Sequence, residues 1–417
     1  MVSILIRGAR LGKEQQDILI EGNRITRIAA KIHGKAEHIL EANGKAVFPG
    51  FYNTHTHAAM TLFRSYGDDM KLQQWLTEKI WPVEEKLTAT EVYAGAKLAC
   101  LEMLKSGTVF FNDMYFHHLE TARAAAELGM RAAIGDTFLD VLLRDTPENI
   151  KSRVQKTFAA MEEYPLTIPV LFPHSIYTVN TENLLLIKEL AEKYNCRMHI
   201  HLSETEQEVK DCLSKNGKGP VEYLKTLGIL SPNLTIAHVV WLREAEIQTL
   251  AEHQVSVAHC PTSNMKLAVG SALPYALLRK YGVNVTLGTD GCASNNTLDM
   301  TQTMKFAALL AKHAAHDPTM LPAAEALQMA TRNGAKAFGI DAGIVEEGRI
   351  ADLVLVDLKR PEFTPLHDVT ANLVYAANGS CVDSVICNGK IIMQERKVEG
   401  EEQILAAAEE AKGRLFG

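Results

Sequence analysis

A (β/α)8 TIM-like barrel with a small β-sandwich domain built from both chain ends is the α/β fold the sequence predicts, and three observations predict it. Eight short apolar runs recur along residues 51–344, most of them separated by helical stretches. The two ends, residues 1–50 and 345–417, have a different texture, with short strands joined by tight turns. Histidines and carboxylates fall at the ends of the central runs, which is where a barrel of parallel strands gathers its reactive side chains.

Taken in order, VSILIRGAR, DILIEGNRITRIA with Gly22 and Asn23 as turn residues, and KAVFPG read as the opening strands. The barrel strands follow as GFYNTHTH, TVFFND, RAAIGDTF, TIPVLFPH, RMHIHLSE, LTIAHVV, VSVAHC and VNVTLGTD. Helical stretches such as LETARAAAELG stand between them. The strand texture returns in RIADLVLVDL and in DSVICNGKIIMQERKV, with a turn at Asn388-Gly389. Neither end is long enough to form a good core alone, so the two are expected to share one sheet domain.

The composition narrows the function. With 417 residues the chain is far larger than a minimal binding module. The net charge is -7, from 50 acids against 43 bases with no long basic run, so no nucleic-acid backbone is expected as a partner. A small-molecule substrate suits this balance better. No segment approaches the ~18 to 20 consecutive apolar residues of a membrane span, so no membrane partner is expected. The start, MVSILIRGAR, reads as a strand and not as a signal peptide. Seven scattered cysteines without a C-x-x-C pair read as reduced core thiols, and the expected location is cytoplasmic.

The strand ends carry the chemistry. Strand one runs into His55 and His57, strand four into His174, strand five into His199, His201 and Glu204, strand six into His238, strand seven into His259 and strand eight into Asp290. Alternation along a strand points His55 and His57 to one side, and His199 and His201 likewise, so either pair could bind an ion. The favoured set is His55, His57 and His201 as nitrogen ligands with Asp290 as an oxygen ligand, which suits Zn2+ and leaves one position for water. Fe2+ also tolerates such a set. Strand four ends in Phe172-Pro173-His174 and offers no modified lysine to bridge two ions, so one metal per subunit is expected. Zn2+ would bring the pKa of water to about 7. Asp290 would accept the water's proton, His238 would polarise the attacking and developing oxygens, and Glu204 would protonate a ring nitrogen. Such a constellation adds water to a carbon bonded to nitrogen and expels an amine or ammonia. Trp75 and Trp81 are candidates to wall the pocket. The long segment 60–88 that carries them is a candidate lid.

The stretches PGFYNTHTHAAMTLFR, IHLSETEQE, IAHVVWL, SNMKLAVG and LGTDGCASNN together resemble the amidohydrolase superfamily. The likeness is to its deaminase branch, which includes S-adenosylhomocysteine/5'-methylthioadenosine deaminases and related adenosine-type deaminases. The resemblance covers essentially the whole chain. It implies that His55, His57, His201 and Asp290 hold the metal and that Glu204 and His238 act with Asp290 in proton transfer. It further implies that Glu84 binds ribose hydroxyls and that His174 contacts substrate. Homo-oligomers are common among related barrels, a state the sequence does not define.

Two departures bear on the substrate. Members that accept homocysteine are expected to carry an arginine at the end of strand three, where this chain has Gly135-Asp136-Thr137. A bare Asp136 carboxylate would repel the substrate's carboxylate, by several kcal/mol when poorly solvated. Uncharged-tail nucleosides such as 5'-methylthioadenosine, adenosine or 5'-deoxyadenosine are therefore expected to be preferred, with Arg144 available to rescue the anion. The second departure is AHCPTSN, since a cysteine at Cys260 also occurs in guanine and 8-oxoguanine deaminases and triazine hydrolases. A free-purine deaminase or a triazine-type amidohydrolase is thus the alternative. The H-x-E and P-C-x-x-C pattern of zinc cytidine deaminases is missing.

Overall fold

The computed structural model describes residues 3–143 and 145–417. Its chain ends form one sheet and its middle another. The first sheet draws on β1 (Ser3–Leu11), β2 (Glu14–Glu21), β3 (Arg24–Ala29), β4 (His38–Glu41) and β5 (Lys45–Pro49). The second contains β6 (Phe51–Thr56), β7 (Thr108–Asp113), β8 (Arg131–Ile134), β9 (Thr137–Phe138), β10 (Thr167–Pro173), β11 (Arg197–Leu202), β12 (Leu234–His238), β13 (Ser256–His259) and β14 (Asn284–Leu287). The chain then returns to the first sheet with β15 (Leu353–Asp357), β16 (Val382–Cys387) and β17 (Lys390–Met393).

In the end sheet the strand order is β17-β16-β15-β5-β1-β2-β3, with β4 beside β1. Side-chain alternation explains why its central strands are apolar at nearly every position. Val47 of β5 and Leu353 and Leu355 of β15 face the sheet's own cluster with Ile4, Ile18 and Ile20. Ala46, Phe48, Val354 and Val356, one step along, join the barrel core instead, with Phe51, Tyr52 and Phe110. A sheet buried on both faces needs this continuous apolar run.

Asp352 fastens the junction. Its carboxylate accepts the Tyr52 hydroxyl at 2.7 Å and the Asn388 backbone N–H at 2.6 Å, and the Arg131 guanidinium lies 3.6 Å away. Tyr52, Arg131 and Asp352 are buried. Asp352→Ala is expected to cost about 3–5 kcal/mol, because it strands a buried hydroxyl and a buried cation. Chemical unfolding followed by circular dichroism checks this, and a loss below about 1 kcal/mol would show the junction to be held by apolar packing alone.

The central sheet runs β6-β7-β8-β10-β11-β12-β13-β14, every pairing parallel, with β9 beside β10. This is the (β/α)8 barrel expected from the sequence. Closure between β14 and β6 runs through Thr54 Oγ1, which donates to the Leu287 carbonyl at 2.9 Å, and through the Asp290 N–H, which donates to the His55 carbonyl at 2.9 Å. Gly288 permits that approach, since a Cβ there would lie 2.7 Å from the His55 Cβ.

The third strand differs from its reading as one run. RAAIGDTF breaks into β8 and β9 at Gly135-Asp136, because the backbone passes so close to β10 that a Cβ on Gly135 would sit 1.8 Å from the Val170 carbonyl oxygen. The last helix, Glu401–Phe416, packs Ala408, Ala411 and Leu415 against a cluster that includes Phe63 and Val92. Arg414 ties it to Glu91 at 2.7 Å. Among the described residues, no helix is long and apolar enough to cross a membrane. All seven cysteines are free and buried.

Candidate metal centre and active site

Four imidazoles meet at the C-terminal ends of the barrel strands. The His55 ring lies 5.0 Å from that of His57, 4.8 Å from His201 and 5.4 Å from His238. His57 and His201 are 5.4 Å apart. Asp290 joins them, its Oδ1 standing 3.4 Å from His55 Nε2 and 3.2 Å from His57 Nε2.

Each ring is aimed by what its other nitrogen does. His57 Nδ1 donates to the Met114 carbonyl at 2.6 Å, and His201 Nδ1 to the His174 carbonyl at 2.8 Å. A carbonyl only accepts, so these nitrogens carry protons and each Nε2 is the atom turned toward the centre. His238 Nδ1 pairs with Asn264 Oδ1 at 2.9 Å, and His55 Nδ1 with His199 Nε2 at 2.9 Å. His199 therefore stands behind His55 as its orienting partner, which resolves the choice between the two histidines of strand five. Asp290 is pinned similarly. Ser263 and Ser294 donate to Oδ2 at 2.6 and 2.9 Å, leaving Oδ1 toward the imidazoles.

The donors fit a divalent cation. His55 Nε2 is fully buried with no hydrogen-bond partner, an uncompensated lone pair that a cation would satisfy. The ligand atoms of His55, His57 and His201 all lie within 4.8 Å of one another. A second set, His55, His238 and Cys260, shares His55, but burial raises the Cys260 pKa and favours the neutral thiol. Burial holds His55 neutral, with its pKa at about 4, and takes His201 well below its ordinary value. Burial alone would raise Asp290, yet its bonds with His55 and His57 take it well below the usual carboxylate range. Burial opposes charge on His57 too, but the Asp290 carboxylate lifts it to about 9.

The backbone is strained where these groups leave their strands. Ser203, His238, Val239 and Asp290 have φ of 53°, 72°, 42° and 62°, in a region that residues other than glycine rarely enter. Such strain clusters at functional sites because it re-aims a side chain at the end of a rigid strand.

Around the imidazoles lie the other expected residues. Burial raises the pKa of Glu204, which feels both His238 and Asp290. Burial also raises Glu84 to about 7, and its carboxylate accepts the Tyr115 hydroxyl at 2.9 Å. Tyr115 in turn stands 6.2 Å from the His57 ring, so it links Glu84 to the centre. The His174 ring is 4.7 Å from His201 and bonds Thr178 Oγ1 at 2.9 Å, while Tyr177 meets it edge-on at 6.4 Å. Trp75 is buried with Met60, Phe63, Ile80 and Val83 in an apolar cluster under the segment 58–87. Among the described residues, the aromatic rings against the histidines belong to Tyr115, Phe172 and Tyr177. Tyr115, Asn264, Ser263 and Ser294 were not singled out in the sequence, since isolated polar residues in loops carry no spacing signal.

Asp136 requires a correction. It lines a cavity of about 520 Å3 together with Tyr115, His118, Thr137, Arg153 and Lys156. Its carboxylate is not bare. Arg153 Nε donates to Oδ1 at 3.2 Å and Nη2 forms an ion pair with it at 3.1 Å while donating to the Thr137 carbonyl, and Thr157 donates to Oδ2. Arg153 lies 17 residues further on, so only folding reveals this counter-charge, which Asp136 shares with Asp145. Arg144, the expected rescuer, lies outside the described residues.

With this geometry in place, the comparisons decide the family. The model of the Amidohydrolase family matches residues 46–392. The chain belongs to the amidohydrolase family. This amidohydrolase is 50% identical to a 5-methylthioadenosine/S-adenosylhomocysteine deaminase of Archaeoglobus fulgidus, over 99% of each chain. It is 46% identical to a 5'-deoxyadenosine deaminase of Methanoregula boonei, over 99% of this chain and 95% of that one. Among solved structures, an adenosine deaminase from Xanthomonas campestris with bound zinc superposes with a TM-score of 0.94 at 35% identity. That match covers 99% of the amidohydrolase and 98% of its neighbour.

Proposed function

We propose that this amidohydrolase is a metal-dependent hydrolytic deaminase of adenine nucleosides, adding water at C6 of the purine and releasing ammonia and the inosine-type product. The observation that carries the reading is the convergence of three imidazole donors and the Asp290 carboxylate beside two further groups suited to proton transfer, Glu204 and His238. The names of the relatives point to the substrates: 5'-methylthioadenosine, S-adenosylhomocysteine, 5'-deoxyadenosine and adenosine.

His55, His57, His201 and Asp290 Oδ1 would hold one Zn2+ per chain. When bound, zinc supplies acidification of water to a pKa of about 7. The rest is work for this chain's own side chains. Glu204, whose pKa burial raises, donates its proton to a ring nitrogen of adenine and makes C6 a better electrophile. His238 Nε2, with Nδ1 committed to Asn264, faces the oxygen that bonds to C6 and stabilises it. Asp290 takes the water's proton and returns it to the leaving amine. Glu84 binds the ribose hydroxyls and His174 contacts the substrate beside it.

The test is ammonia release by zinc-loaded protein on a panel of the four nucleosides with adenine, guanine and 8-oxoguanine. Turnover confined to the adenine nucleosides is expected. Turnover of free bases alone would move the protein to the free-purine reading that Cys260 suggests. Glu84→Ala should raise KM for nucleosides at least about tenfold, as expected for a lost charge-assisted hydrogen bond, and hardly change it for free adenine. Equal changes on both would remove Glu84 from ribose binding.

The cavity beyond Tyr115 is lined by Arg153 and Lys156 as well as by Asp136 and Asp145, so it offers cationic partners to a carboxylate on a 5' substituent. Arg153→Gln strips Asp136 and Asp145 of their counter-charge. It should lower kcat/KM for S-adenosylhomocysteine about tenfold more than for 5'-methylthioadenosine. Matching losses would show that the tail lies elsewhere.

A further inference from the structure

The turn that presents Glu204 is held by a second carboxylate. After β11 the chain enters Ser203 at φ 53° and starts a new helix, Glu206–Asn216, at Thr205. Thr205 caps that helix, its hydroxyl accepting the Glu208 N–H at 3.1 Å. The pattern T-x-x-E ordinarily closes a reciprocal capping box, with the glutamate reaching back to the cap residue's own N–H. Here the carboxylate reaches further. Glu208 Oε1 accepts the Ser203 N–H at 2.9 Å, and Oε2 accepts the Glu204 N–H at 2.9 Å. Glu208 is only 7% exposed, so no solvent would replace these bonds.

The opposite side of the same turn is tied to the loop that carries His238. Val239 N–H donates to the Leu202 carbonyl at 3.0 Å, and Trp241 N–H donates to the Ser203 carbonyl at 2.9 Å. The Leu202 and Ser203 carbonyls are therefore fastened to the strand-six loop, and the Ser203 and Glu204 N–H groups to Glu208. The turn bears one proton-transfer group and the neighbouring loop the other.

We propose that Glu208 is a positioning residue for Glu204, its two carboxylate oxygens holding the strained Ser203–Glu204 backbone so that the Glu204 carboxyl faces His238 and the substrate ring. Helix capping does not require this arrangement, because Thr205 already caps the helix. The inference rests on the catalytic reading of Glu204. The Glu208 carboxylate bonds the Ser203 and Glu204 backbone and none of the imidazoles, so it acts through its neighbour.

The test uses zinc-loaded full-length protein with 5'-methylthioadenosine and measures kcat, KM and bound zinc. Glu208→Gln keeps the shape but places an amide N–H against a backbone N–H. It is expected to lower kcat on the order of 10²-fold, with KM within about threefold and zinc content unchanged. Thr205→Ala weakens the same helix without touching the Ser203 and Glu204 N–H groups, and should keep kcat within about threefold. On a Glu204→Gln background, with turnover followed at high enzyme concentration, Glu208→Gln should cost less than about threefold further.

An equal loss from Glu208→Gln on both backgrounds would overturn the proposal, as would a Thr205→Ala loss matching it or a loss that tracks zinc content. Should Glu208→Gln not fold, Glu208→Asp keeps the charge with a shorter reach and carries the same comparison. Glu204→Gln with wild-type kcat would overturn the reading of Glu204 together with this one. An impaired Glu204→Gln with additive losses would overturn the positioning role alone.

Discussion

His57→Ala is expected to lose bound metal and turnover together, with kcat/KM falling by more than about 10³-fold, because it removes one of the four proposed ligands and leaves Asp290 without its nearest imidazole. Metal analysis after gel filtration, beside ammonia release, checks both at once. A variant that keeps its metal and its activity would refute the ligand set. The metal-free wild type carries a second signature. The Asp290 carboxylate lifts His57 to about 9, so at pH 7 this imidazole is protonated before metal arrives. A raised pKa means that the proton is held below about 9 and given up above it. Loading Zn2+ at pH 7 should therefore release about one proton from this site, and affinity should rise with pH until His57 is neutral. Calorimetry in buffers of different ionisation enthalpy measures the count, and zero release would show that His57 is neutral without metal.

Glu204→Gln should reduce kcat by about 10² to 10⁴-fold while bound metal stays at the wild-type level. The amide can still accept or donate a hydrogen bond at the ring nitrogen, but it has no proton to transfer. The separation of metal content from kcat distinguishes Glu204 from the ligands. The pH dependence supplies a direction. Burial raises the Glu204 pKa, so the carboxyl stays protonated to higher pH than an exposed glutamate, and kcat should fall as pH rises through that raised value. Glu204→Gln should flatten that limb. An unchanged limb in the variant would assign it to another group.

The two variants separate roles that proximity alone would merge. His57 and Glu204 both lie within one group of coupled charges, since Glu204 feels His57, His238 and Asp290. Loss of a ligand should abolish metal and chemistry, whereas loss of the acid should abolish chemistry alone. A charge cluster serving only stability would show neither pattern.

What the sequence by itself determined is the set of strands and the residues at their ends. His55 and His57 share a side because alternation along a strand is a local rule, and Asp290 follows an apolar run for the same reason. Eight such runs with helices between them close most readily as a parallel barrel, and its C-terminal mouth collects whatever the runs end in. What only the tertiary structure decided is pairing. His199 and His201 are equivalent by spacing, yet His199 lies against His55 Nδ1 at 2.9 Å and orients it, leaving His201 to face the centre. Asp136 looked like an uncompensated anion, but Arg153 crosses from the following helix to neutralise it. Trp75, a candidate pocket wall, is packed with Phe63 and Val83 in an apolar cluster that residue spacing does not show. Periodicity is written in residues two or four apart, whereas counter-charges and hydrogen-bond partners are chosen among groups that are distant in sequence and adjacent only once the barrel has closed.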